Sequence, residues 1–128
     1  MQPLEYYDTR ELVLEINLTN SIVPVIYGLP SCNIERRRIS LGLDIPGSIF
    51  FMLSRYEEAV KQDRDEHGRF PANASLAYQQ GFLGRPIVNE YMEILWACMK
   101  RLWPALERKS REFRTLVTAD VDFPYSYG

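Results

Sequence analysis

One histidine, His67, and two cysteines, Cys32 and Cys98, are spread through 128 residues. A single imidazole beside Asp63 or Asp65 is a thin basis for a transition-metal site, which draws on several nitrogen or sulfur ligands. The cysteines lie far apart and outside any Cys-x-x-Cys pair, so they read as free buried thiols. Such thiols belong to a reducing compartment, and the expected location is cytoplasmic. In that setting the triplets Asn17-Leu18-Thr19 and Asn73-Ala74-Ser75 are chance matches to a glycosylation signal. There is no basic excess: 15 Lys and Arg against 17 Asp and Glu give a formal charge of −2. Phosphate backbones demand a net basic face, so no nucleic acid is expected as partner. Arg36, Arg37 and Arg38 run together beside Glu35 and read as a solvated edge. No apolar run approaches the length of a bilayer, so no membrane association is expected. The opening residues, with Gln2, Pro3, Glu5 and Asp8, do not resemble a secretion signal.

What the chain does hold is enough apolar material for one core. Hydrophobic residues make up 46% and aromatics 12%, a share that excludes global disorder and suits a single domain. Residues 11–18 alternate Leu12, Leu14, Ile16 and Leu18 with polar neighbours, the pattern of a half-buried strand. Residues 22–27 form a second β-rich run pushed toward an edge by Pro24. Gly28, Pro30, Ser31 and Asn33 read as a break, and Ile39, Leu41 and Leu43 as a short strand weakened by Gly42.

Asp44 and Pro46 then open the clearest helix, 46–61. Ile49, Met52, Leu53, Tyr56 and Val60 share one face, with Ser54, Glu57, Glu58 and Lys61 opposite. One or two helical turns over 75–80 and a long structural helix over 86–103 follow. On the latter, Val88, Tyr91, Leu95, Cys98, Met99 and Leu102 form the apolar face. Asn89, Glu90, Glu93, Ala97, Lys100 and Arg101 form a polar stripe. A shorter charged helix is predicted over 105–112 and a strand over 114–119.

The charged loop 63–70 is the densest cluster of chemically able groups. Its acids at Asp63 and Asp65 with Gly68 imitate the opening of a calcium loop, but the twelfth position is Ala74, where a bidentate glutamate is required. Calcium is therefore excluded on pattern. A structural use fits better: Arg55 and Arg69 can pair with Glu57, Asp65 or Glu66 and lock the loop to the helix. A second use is contact with substrate through His67 and Arg69. At the other end of the chain, Asp120 and Asp122 stand at i and i+2, so on a strand both point to one side.

Three blocks carry a resemblance: GSIFFMLSRYEE (47–58), DEHGRF…SLA (65–77) with RPIVNEY (85–91), and TADVDFP (118–124). In order and spacing they resemble the uncharacterised domain that precedes the catalytic domain in bacterial polysaccharide-deacetylase-like proteins, the NodB-like carbohydrate esterase family 4 group. The resemblance implies that 1–112 is an accessory α/β domain and that 113–128 begins a deacetylase-like domain. That domain is an irregular barrel, and the 114–119 strand would be its first. It implies Asp120 as the general base and Asp122 as a ligand of a divalent, zinc-like metal, whose remaining histidines would come from a later His-x-x-x-His motif. The metal supports deacetylation of an amino-sugar polysaccharide. None is expected in this chain alone, which is expected to be catalytically incomplete. Ala119 departs from the histidine often found there. The alternative reading is a self-contained carbohydrate- or protein-binding module using the 63–70 loop and Tyr125 and Tyr127. The expected fold is mixed α/β: a small sheet, including the 114–119 strand, covered by the two main helices.

Overall fold

In the computed structural model, which describes residues 3–110 and 112–120, the class is mixed α/β as expected. The β component is two separate antiparallel pairs, not one sheet, and the described residues form no closed barrel. β1 (Tyr6–Asp8) pairs with β2 (Ile22–Pro24), and β3 (Gly28–Ile34) pairs with β4 (Ile39–Leu43). The helices are α1 (Ile45–Leu53), α2 (Tyr56–Val60), α3 (Leu76–Gln79) and α4 (Ile87–Leu102). No described helix is long and apolar enough to cross a membrane.

Residues 11–18 correct the first strand expectation in an instructive way. Asp8 caps a short 3-10 turn over Thr9–Leu12, and Val13 then takes a left-handed conformation at φ 51°. No ladder forms, yet the alternation is real: Leu12 is buried, and Leu14, Ile16 and Leu18 pack on the core. Val13, Glu15 and Asn17 face out. Inward alternation requires only an extended chain over an apolar surface, not a partner strand.

Pro24 sits where its missing N–H does no harm. Val25 N–H donates to Glu5 O at 2.9 Å and Thr9 N–H to Ser21 O at 2.8 Å. Tyr6 opposite Pro24 therefore falls at a non-hydrogen-bonded pair, with Pro24 directing its nitrogen and carbonyl away from β1.

The expected break at 28–33 is instead the longest strand. Gly28 has φ +94°, and a Cβ there would lie 2.1 Å from Gly42 O; one at Gly42 would lie 2.6 Å from Leu29 O. The two glycines let the strands approach, with a register irregularity between Gly28 and Cys32. Glu35 N–H to Arg38 O, at 2.7 Å, closes the turn that carries the arginines.

Asp44 caps α1, its Oδ1 accepting from Gly47 N–H at 2.9 Å, with Pro46 in the first turn. The predicted helix 46–61 is not continuous. It breaks at Ser54 and Arg55, where Arg55 adopts φ 57°, and α2 starts afresh.

α4 supplies the central wall of the core. Ile87, Tyr91 and Ile94 are buried in one cluster with Val23, Val25, Leu43, Ile45 and Phe82, Cys98 is buried further along the helix, and α1 packs on α4. The buried stripe is rotated from the predicted one. Glu90 and Ala97, assigned to the polar side, are 7% exposed, while Val88, Leu95, Met99 and Leu102 are only half-buried. The expected charged helix at 105–112 is absent over the described residues. So is the strand at 114–119: residues 112–120 form no secondary structure and are exposed throughout.

Candidate functional site

The charged loop folds around one carboxylate. Asp65 Oδ1 accepts the N–H groups of His67 and Arg69, each at 2.9 Å, and Oδ2 accepts Arg69 Nε at 3.1 Å. Asp65 N–H donates to Arg69 O at 2.8 Å, and Gly68, at φ +73°, completes the turn. The N–H of Arg69 above all, with that of His67 and the Arg69 side chain, holds the Asp65 carboxyl below its usual range. Asp65 and Arg69 are thus committed to each other. The His67 ring is exposed, with Nε2 3.3 Å from Glu66 Oε1.

At the loop's base, Glu57 Oε1 accepts Lys61 Nζ at 2.6 Å and Leu76 N–H at 2.7 Å. Lys61 Nζ also donates to Ala74 O at 2.8 Å. These bonds tie α2 to the start of α3 across the whole loop. Arg55 does not reach Glu57. It forms a two-point pair with Glu58 instead, at 2.7 and 2.6 Å. Arg64 adds bonds to the carbonyls of Glu58 and Lys61 at 3.1 and 3.0 Å. Beside this base lies a small recess of about 230 Å³, whose walls include Phe51, Met52, Phe70, Arg55 and Glu57.

The implied reaction centre falls at the far end of the chain. Asp120 is exposed, and among the described residues it has no ion-pair partner. Asp122 lies outside the described residues. Among the described residues no three His, Cys, Asp or Glu side chains converge on a point that could hold a metal. A zinc-like ion therefore does not fit the described residues.

A different feature, invisible to sequence reasoning, runs along the outer side of α4. The extended 14–20 segment lies beside this helix and leaves two recesses that share Asn17 and Glu93. One, about 440 Å³, has Leu18, Asn20, Pro86 and Asn89 in its walls. The other, about 550 Å³, has Glu15, Trp96 and Arg108. Arg85 and Glu90 line the first and pair at 2.7 and 3.3 Å, and Arg85 also donates to Ile22 O at 2.8 Å. In the second, Arg108 grips both oxygens of Glu93 at 2.8 and 3.0 Å and lies 5.1 Å from the centre of the Trp96 ring. The only sequence signal was Glu93 and Asn89 on one helix face. Their partners at 17 and 108 are too distant in the chain for spacing to reveal.

No curated protein and no solved structure matches this sequence. The profile of one family does, that of a family of unknown function designated DUF7033, over residues 5–104. Those bounds run from just before β1 to just after α4, so they enclose the whole packed core.

Proposed function

The chain belongs to the DUF7033 family, whose function is unknown, and we propose that its core is an accessory domain preceding a polysaccharide-deacetylase-like domain. The observation that carries this reading is the state of residues 112–120. They follow a core that closes without them, and they leave Phe113, Leu116 and Val117 94%, 86% and 88% exposed. A β-prone segment with bare apolar side chains has the composition of a strand that lacks neighbours. The same segment carries Asp120, which the sequence resemblance marks as a proton acceptor. The metal that activates water in such enzymes would be held mainly by the domain to come, with Asp122 as this chain's contribution. The 63–70 loop then serves as a rigid surface feature: the exposed His67 ring is its substrate-facing group, and of Arg69 only the guanidinium NH2 groups, not the Nε that Asp65 holds, are open to substrate. The free thiols of Cys32 and Cys98 support a cytoplasmic location.

The test begins with the gene beyond the codon for Gly128. The proposal expects an open frame encoding a His-x-x-x-His motif, and metal-dependent acetate release from N-acetylated amino-sugar oligomers by the extended polypeptide but not by residues 1–128. A stop codon at that point, or an extended protein without the histidines, overturns it.

A further inference from the structure

We propose that the groove between the 14–20 segment and α4 is a binding site for an uncharged glycan. This rests on the groove itself and holds whether or not a catalytic domain follows.

The size is suitable. The recess near Asn89, about 440 Å³, and the one at Trp96, about 550 Å³, are both within the span of about 300–1,000 Å³ common to small-ligand sites. The first recess adjoins the one at Trp96 across Asn17 and Glu93, which line both, so the two lie side by side along α4. An oligomer suits such a shape better than a compact ligand.

The electrostatics select against charge. Glu90 is neutralised by Arg85 and Glu93 by Arg108, so neither cation is left to capture a phosphate or carboxylate. Glu15, on the rim, has no ion-pair partner among the described residues and repels anions. What remains free is neutral. The side chains of Asn17, Thr19 and Asn89 make no hydrogen bond to other described residues. Each amide offers two donors and an acceptor, which matches sugar hydroxyls that both donate and accept. Leu18 and Pro86 give small apolar surfaces for the C–H face of a pyranose. Trp96 lines the far recess with Arg108 held over its ring, which fixes the indole in place beside the site.

The experiment titrates the full chain carrying Trp103→Phe, so that Trp96 is the sole indole reporter. The probes are neutral glucan oligomers, sulfated oligomers of the same length, and a short basic peptide. Saturable fluorescence change with the neutral oligomers, weakened about tenfold or more by Asn17→Ala with Asn89→Ala, is the expected result. The two asparagines are exposed, so this double variant should keep the parent melting temperature. No saturable response to the neutral series overturns the proposal. So does preference for the sulfated oligomer or the peptide, or neutral binding that ignores the double variant.

Discussion

Tyr91 Oη donates a 2.5 Å hydrogen bond to the carbonyl of Pro24 and accepts the N–H of Ile26 at 3.4 Å. This pairing joins the middle of α4 to the outer edge of β2, where Pro24 turns its carbonyl away from β1. Tyr91 is 1% exposed, so neither backbone group has water to fall back on. Each end of the relationship explains the other: the proline is tolerated at the edge, and the tyrosine covers the edge that the proline leaves.

Removing that hydroxyl gives the first prediction. Tyr91→Phe keeps the ring but strands a buried carbonyl and a buried N–H. The expected loss is about 1–3 kcal/mol of unfolding free energy, read from urea denaturation with an unchanged m value.

Two neighbouring glutamates on α2 should behave differently. Glu57, with a side chain 14% exposed, joins Lys61 and Leu76 N–H. Glu57→Ala should cost about 1–2 kcal/mol, because a backbone donor loses its acceptor. Glu58 meets the exposed Arg55 side chain, and Glu58→Ala should cost no more than about 0.5 kcal/mol. Equal losses in thermal unfolding would show that Glu57 does not tie α2 to α3.

The contrast between legible and hidden features follows one physical line. Signals that act over a few residues came through: the Asp44–Pro46 helix start, the span of α4, the inward alternation at 12–18, and the mixed class. What failed depended on distant partners. β3 reads as a turn because of its glycine, proline and serine, but it is a strand because Gly42 lets Gly28 come close. The phase of α4 is misread because Glu90 is buried, and only Arg85 makes that burial affordable. Arg55 ends α1 by a left-handed turn with no glycine or proline to announce it. The α4 groove is assembled from residues 17, 89, 93, 96 and 108, which no local pattern connects.

Alkaline pH should destabilise the fold in a defined window. Burial pushes the Cys98 thiol from an ordinary value of 9.0 up to about 11, and Tyr7 from 10.0 up to about 12. For both groups the folded state holds the proton more tightly than the unfolded chain. Their contribution is complete below the unfolded values and is lost as pH rises through the folded ones. The melting temperature should therefore be insensitive to these groups below about pH 9 and fall from there toward pH 12. Burial raises the Cys32 thiol as well, so the onset should move up toward pH 10, where tyrosine begins to titrate, only when both cysteines are replaced. Equal alkaline slopes for Cys32→Ala and for Cys32→Ala with Cys98→Ala would remove Cys98 as a cause.

The Arg85–Glu90 pair gives the sharpest test of how the core accommodates charge. The Glu90 side chain is 8% exposed and that of Arg85 22%, so α4 begins with a carboxylate almost out of water. Arg85→Ala leaves it unpaired and also frees Ile22 O. The expected cost lies toward the low end of about 3–5 kcal/mol, since Arg85 keeps some contact with solvent. Arg85→Met with Glu90→Leu removes both charges at similar volume and should recover most of that loss, the signature of a desolvated pair rather than an attractive one. The parent protein and these two variants, compared by chemical denaturation, separate the alternatives. If the double variant is no more stable than Arg85→Ala, the main part played by Arg85 is its bond to Ile22 O, and Glu90 is incidental.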